Sequence, residues 1–257
     1  MKRPIHRDSE GPGQEAQYDF PYHYLPEETG CGFRQHRYWS WGYRYLGRLR
    51  VVFDLLQPLA FESLLDVGCG DGRFLRETRR RYPAAQLRGI DPSGRAVALA
   101  RRLNSGLDFV HGDVSGLVSE PCWDVITLLE VLEHIPPDEL PSAVSAIHRL
   151  LTPGGTLVLT APHTNTRLPG KHHQHFDAEK LRSLFSGEFD ELRCFGFDYI
   201  DFRMKVLLRA MGGAGKFYIV THRGMNNLLY RYYSRHCLYG TGSKRCQRIA
   251  FVATKRE

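Results

Sequence analysis

The chain has 257 residues, 42% apolar and 25% charged, the make-up of an ordinary globular protein and not of a disordered or fibrous one. A domain of this size buries roughly 70 to 75% of the surface its unfolded chain exposes, so neither disulfides nor a structural metal is needed to hold it together. The net charge of +7 is uneven: residues 203–257 hold twelve Lys or Arg against the single acid Glu257, a net of +11, which leaves −4 for residues 1–202.

In chain order, residues 1–18 are polar and rich in Gly, Pro and charge, which predicts a mobile tail. They contain no apolar stretch of the kind a signal peptide needs, and no segment approaches the ~20 apolar residues of a membrane span. Residues 19–58 pack aromatics among arginines, which predicts an N-terminal cap folded on the main body, or plain core packing. Within them, Tyr43 to Leu56 shows apolar residues at helical spacing and Pro58 stops the run. From Ser63 the short apolar runs SLLDVG, QLRGID, LDFVHG, DVITLL and GTLVLTA alternate with helical stretches at Gly72 to Tyr82, Ser93 to Leu103 and Asp138 to Leu151. Strands interleaved with helices call for an α/β fold with a doubly wound, mostly parallel sheet covered on both faces. Asp177 to Phe185 reads as a further helix, Phe189 to Phe197 as a strand, and RIAFVAT (Arg248 to Thr254) as the closing strand.

The core therefore spans residues 59–202, and residues 203–257 form a basic C-terminal insertion followed by the final strand. Two pieces of the insertion, Phe202 to Met211 and Met225 to Leu238, have the pattern of amphipathic helices with basic faces. They suit a membrane surface or a lid over a phosphorylated acceptor, or else pack on the sheet. The basic excess implies a contact with phosphate, nucleic acid or a lipid headgroup surface, or a solvated face that aids solubility. Cys31, Cys69, Cys122, Cys194, Cys237 and Cys246 are scattered with no CxxC pair, which argues against a zinc ribbon or a disulfide framework. The expected location is cytoplasmic, at most peripheral to a membrane.

The sharpest motif is LLDVGCGDGRFL, Leu64 to Leu75, where an apolar strand runs into Asp66, Gly68, Gly70 and Gly72 and then a helix. Glycines at such a turn let the backbone approach a ligand closely. The spacing is GxGxG, whereas a dinucleotide fingerprint requires GxGxxG. An acid just before the loop is poorly placed beside a pyrophosphate but can accept a hydrogen bond from an ammonium. The ligand that fits is a nucleoside carrying an amino acid.

On these residues the chain resembles the class I S-adenosylmethionine-dependent methyltransferases over about residues 60–200, which implies the Rossmann-like methyltransferase fold. The resemblance implies that Asp91, 25 residues after Asp66, pairs with both ribose hydroxyls, that Asp113 in the HGDV turn receives the adenine amino group, and that Val114 contacts the ring. Its full implied cofactor-binding set is Asp66, Gly68, Gly70, Gly72, Asp91, Pro92, Asp113, Val114 and Glu130, with S-adenosylmethionine as the cofactor. Family members often close this site with upstream residues, for which Tyr24, Arg37, Tyr38 and Trp41 are candidates, since aromatic faces stabilise a sulfonium as they do other cations.

Methyl transfer from a sulfonium is an in-line displacement, so the enzyme must chiefly position the acceptor and exclude water; a hydroxyl acceptor also needs a base. Glu130, Glu133 and His134 follow the fourth core strand, and His163, His172, His173 and His175 follow the fifth, all at the sheet edge where ligands bind in such folds. His134 and His175 are the candidate catalytic residues. The E-x-x-E-H arrangement with a distal histidine also resembles the metal set of small-RNA 3′-terminal 2′-O-methyltransferases, with Glu130, Glu133, His134 and His175 matching by type. The same arrangement is common in small-molecule methyltransferases that bind no metal, and no metal is assigned. The expected activity is methyl transfer to an oxygen, with nitrogen or carbon as second choices, of a small or lipid-like metabolite. The alternatives are a metal-assisted RNA ribose 2′-O-methyltransferase and a non-catalytic cofactor-binding partner protein; an acidic catalytic body and the lack of an RNA module disfavour nucleic acid.

Overall fold

The computed structural model describes residues 26–29, 32–35, 42–117, 122–199, 201–204, 206, 223–239 and 245–256. A two-stranded antiparallel hairpin, β1 (Pro26–Thr29) and β2 (Gly32–Gln35), precedes helix α1 (Gly42–Leu56). The core then runs β3 (Ser63–Val67), α2 (Arg73–Arg81), β4 (Gln86–Asp91), α3 (Gly94–Leu103), β5 (Asp108–His111), β6 (Trp123–Leu129), α4 (Leu140–Leu150), β7 (Leu151–Pro162), α5 (Ala178–Phe185) and β8 (Phe189–Phe197). Helix α6 (Arg223–Tyr232) and β9 (Arg248–Lys255) follow. The seven strands from β3 onward form one sheet in the order β5-β4-β3-β6-β7-β9-β8; only β9 runs antiparallel to its neighbours, between β7 and β8. This is the doubly wound, mostly parallel α/β fold expected from the sequence.

Alternation along each strand separates two cores. Leu64 faces one side of the sheet with Val52, Leu56, Phe74, Leu75 and Val97; Leu65 faces the other with Val144, Ile147, Leu181 and Phe185. Successive side chains of a strand point to opposite faces, so an all-apolar run such as SLLDV is a strand with helices on both sides. Helix α1 is therefore a structural member of the first layer.

Two elements differ in detail from the sequence reading. The LTPGG turn is not a separate connection: β7 begins at Leu151, opposite Trp123, and the ladder resumes at Thr156 opposite Val125, with Gly154 at a φ of 71° in the interruption. The expected helix from Met225 to Leu238 is α-helical only to Tyr232 and continues as one wider π-helical turn, Tyr233–Cys237. The widened turn brings the fully buried Tyr233 hydroxyl to Asp198, 2.7 Å away. The expected tail over residues 1–18, most of the aromatic cap and most of the Phe202 to Met211 segment lie outside the described residues. Among the described residues no helix is long and apolar enough to cross a membrane.

Candidate functional site

The chain leaves β3 toward β4 and β5 on one side and returns to β6 and β7 on the other, so the crevice of the fold opens at the carboxyl ends of β3, β4 and β6. Four segments meet there: the turn after β3, the ends of β4 and β5, and the turn after β6.

The turn after β3 is fastened to β4 through its backbone. The N–H groups of Gly68 and Cys69 donate to the Ile90 carbonyl at 2.8 and 3.1 Å, and that of Gly70 donates to Asp91 Oδ2 at 2.8 Å. Asp91 Oδ1 accepts from the Ser93 N–H at 2.9 Å. The glycines serve backbone hand and packing as much as ligand access. Gly68, at a φ of 74°, leaves space that a Cβ would contest with Val131 Cγ2 at 2.4 Å; at Gly72 a Cβ would meet the Phe109 ring at the same distance.

Asp66 lies beneath this turn, 2% exposed, and accepts a hydrogen bond from Thr127 Oγ1 at 2.7 Å. Burial pushes its carboxyl up to about 7; the nearby Asp91 charge adds to the rise, and the Thr127 bond opposes it. Two buried carboxylates thus floor the crevice, and Arg73, the cation of the turn, is drawn away to Glu77 at 3.1 Å. That floor fits a cationic nucleoside ligand and not a pyrophosphate.

The remaining expected cofactor residues are close by. The Pro92 carbonyl accepts from His111 Nε2 at 2.8 Å, which joins β4 to β5. Asp113 caps the turn Val114–Gly116 by accepting from the Ser115 N–H at 2.8 Å through Oδ1, and Val114 is buried behind it. Glu130 has a left-handed φ of 61°, with Oε1 held by Thr160 Oγ1 at 3.2 Å and Oε2 by Arg248 Nε at 2.5 Å. Its carboxylate is engaged by protein groups, a setting its position in the sequence did not indicate.

The turn after β6 places Glu133 and His134 against the loop after β7. The His173 N–H donates to the Glu133 carbonyl at 2.8 Å, which pins the histidine loop to the turn. His134 and His172 meet edge to face with ring centroids 4.8 Å apart, and His172 Nδ1 lies 2.9 Å from His175 Nε2. One ligand atom each from Glu133, His134 and His172 falls within 4.8 Å of the others. Of the two candidate catalytic histidines, His134 is in this cluster and His175 stands behind it, 6% exposed. Burial lowers both, and pushes His172 down to about 4, with His134 and Lys171 next in effect. His163 is separate: its Nδ1 accepts from the Asn165 N–H at 3.1 Å.

Three features escaped sequence reasoning. Tyr45 of α1 is near Asp71 and Asp66; burial first, then Asp71, raises its phenol. Helix α1 thus supplies an aromatic beside the crevice, while Tyr24, Arg37, Tyr38 and Trp41 lie outside the described residues. Asp198, at a φ of 62° and fully buried, accepts from Arg44 Nη2 at 2.6 Å, Arg48 Nη2 at 3.0 Å and Tyr233. Arg44 and Arg48, four apart and so on one face of a helix rich in apolar residues, were the available sign of a buried anion. His172 stood among four loop histidines with nothing to distinguish it.

Residues 64–155 match a family described as a methyltransferase domain. The chain is 36% identical over 118 residues to trans-aconitate 2-methyltransferase of Methylobacterium nodulans, covering 45% of each. It is 34% identical over 126 residues to ubiquinone biosynthesis O-methyltransferase of Alkalilimnicola ehrlichii, covering 47% of this chain and 49% of that one. The chain therefore spans about half the length of these relatives. Among solved structures it is similar to the N-methyltransferase NodS from Bradyrhizobium japonicum WM9 in complex with S-adenosyl-L-homocysteine, with a TM-score of 0.56 and 17% identity, covering 84% of this chain and 89% of that one. At that identity the likeness is one of fold.

Proposed function

The chain carries a class I S-adenosylmethionine-dependent methyltransferase domain, and from that premise we propose that it transfers a methyl group from S-adenosylmethionine to an oxygen of a small or lipid-like acceptor. The observation that carries the reading is the joint placement of Asp66, Asp91 and the glycine turn at the crevice, where two buried acids meet backbone held at left-handed φ. Oxygen is favoured as acceptor atom because a relative that matches over 126 residues is named an O-methyltransferase.

S-adenosylmethionine, when bound, supplies an electrophilic methyl on a sulfonium. The chain's own residues do the rest. Asp91, held in place by the N–H groups of Gly70 and Ser93, accepts from the two ribose hydroxyls in this reading. Asp66 provides negative charge under the amino-acid end. Asp113 accepts from the adenine amino group through Oδ2, which no described residue engages, while Val114 and Pro92 shape the ring's surroundings. The Glu133, His134 and His172 cluster, with His175 behind it, faces the acceptor's hydroxyl in this reading. Burial keeps both rings neutral near pH 7, so each has a lone pair to offer.

The test is incubation of the full chain with methyl-labelled S-adenosylmethionine and a cell extract, followed by separation into protein, RNA, lipid and low-mass fractions. Label in the lipid or low-mass fraction, held through an ether or ester, supports the proposal. Label confined to RNA or protein overturns the acceptor class, and label nowhere overturns the activity.

A further inference from the structure

Hydrogen bonds around the histidine cluster fix which ring nitrogens carry protons. His134 Nδ1 lies 3.2 Å from the Lys171 carbonyl, which can only accept, so Nδ1 is protonated and Nε2 of the neutral ring holds a lone pair. Thr166 Oγ1 donates its proton to the His163 carbonyl at 2.8 Å, so His175 Nδ1, 3.0 Å from that hydroxyl and 3.2 Å from the Thr166 carbonyl, must itself be the donor. His175 Nε2 then accepts from His172 Nδ1, and His172 is left with its lone pair at Nε2. No described residue hydrogen-bonds Nε2 of either His134 or His172.

Beside these rings lies a carboxylate with an unmet need. Glu133 is 1% exposed, and its Oε2 has no hydrogen-bond partner among the described residues. An orphaned buried carboxylate oxygen costs stability unless something cationic satisfies it. Arg248, the nearby guanidinium, is committed to Glu130 at 2.5 Å, and the Glu133 oxygen stays open.

We infer that Glu133, His134 and His172 form a binding site for one divalent transition-metal ion of the zinc class, with His175 as the positioning residue that orients His172. Two imidazoles and one carboxylate with an open fourth position is a ligand set suited to zinc in catalytic sites, and a ligating histidine characteristically gives its other N–H to a carbonyl or like acceptor, as His134 does to Lys171 and His172 does to His175. Bonds of about 2.0–2.1 Å in a tetrahedron separate ligand atoms by about 3.3 Å, and one ligand atom from each residue already lies within 4.8 Å of the others, so closing the site takes an inward movement of up to about 1.5 Å. The set differs from the one the sequence resemblance offered: Glu130 is taken by Thr160 and Arg248, and His175 stands one bond further out. Resting on the proposed methyl transfer, the open position takes the acceptor's hydroxyl oxygen, whose proton passes to solvent as its acidity rises; this favours a hydroxyl acceptor over an amine.

The experiment uses the full chain, stripped with chelator and dialysed, and zinc ion alone as the probe, measured by competition with a chromophoric chelator. About one zinc per chain is expected, with affinity at least about tenfold lower in Glu133→Gln and His172→Ala and about 10–100-fold lower in His175→Ala. Affinity for S-adenosylhomocysteine, measured separately, should stay near that of the unsubstituted chain, which verifies that each variant is folded. Cobalt(II) added to the unsubstituted chain gives a reading that needs no variant: intense visible bands of a four- or five-coordinate ion are expected. Failure to retain zinc, zinc binding unchanged in the variants, or the pale spectrum of hydrated cobalt would each overturn the site. Zinc binding without S-adenosylhomocysteine binding would instead sink the methyl-transfer reading and leave the metal site standing.

Discussion

Asp91 Oδ2 accepts the backbone N–H of Gly70 at 2.8 Å, so the acid that ends β4 also holds the turn that ends β3. One carboxylate thereby fixes the backbone that borders the crevice while itself lying at the crevice floor. Removing it has two effects that reinforce each other. Asp91→Ala is expected to weaken S-adenosylhomocysteine binding by about 1–3 kcal/mol through the lost charged acceptor, and more if the turn loosens. Isothermal titration calorimetry checks this, and unchanged affinity would rule out the ribose assignment.

The buried Asp66 carboxyl makes cofactor affinity depend on pH. Its folded pKa of about 7 exceeds the ordinary 3.8, so the empty protein binds this proton more tightly than the unfolded chain does. Its contribution to stability is fully present below pH 3.8 and is lost as pH rises toward and through about 7. A cationic ligand favours the charged form, so affinity should rise with pH up to about 7 and then level off, with a proton released on binding near pH 6. Calorimetry in two buffers of different ionisation enthalpy reads that proton directly. Asp66→Asn should bind the cofactor more weakly yet unfold about 1 kcal/mol or more later than the unsubstituted chain at pH 8, with the gain fading toward pH 4.

Asp198 behaves oppositely. Burial alone would raise its carboxyl, but Arg48 and Arg44 outweigh it and hold the group below the usual carboxylate range. The pair therefore stabilises the fold above the unfolded pKa, and that stabilisation is lost as pH falls through the depressed folded value. Asp198→Ala leaves two guanidinium groups facing a buried gap and should cost about 3–5 kcal/mol in urea unfolding near pH 7. A loss below about 1 kcal/mol would mean that this cluster does not tie α1 to β8 and the π-helical turn.

Gly68 tests packing against ligand access. A Cβ there meets Val131 Cγ2 at 2.4 Å on a backbone of φ 74°, so Gly68→Ala should destabilise by about 1–3 kcal/mol and impair cofactor binding. Gly106→Ala has a similar φ of 87° and open space around it, and should show only the backbone cost of roughly 1–2 kcal/mol. Adding Val131→Ala to Gly68→Ala should recover the difference between the two. Absence of any recovery would place the clash elsewhere.

The parallel core was legible in the sequence because apolar runs such as SLLDV and WDVITLL are too short for helices and too continuous for half-exposed strands. The glycine turn and its acids were legible because strand, turn and helix follow one another within twelve residues. What the sequence did not disclose depends on distant partners. Asp198 reads as a loop residue until Arg44 and Arg48, about 150 positions away, are seen to surround it. Glu130 and Glu133 look equivalent in E-x-x-E-H, but a left-handed φ at Glu130 turns it to Arg248, while the following turn of chain buries Glu133. The preference for His172 over His175 at the front of the cluster rests on loop geometry that no spacing encodes.

The most direct measurement is calorimetric titration of the full chain with S-adenosylhomocysteine beside a parallel titration with a nicotinamide dinucleotide. Saturable binding of about one S-adenosylhomocysteine per chain, weakened by Asp91→Ala, is expected, with no binding of the dinucleotide. Heat from the dinucleotide with none from S-adenosylhomocysteine would contradict the cofactor assignment.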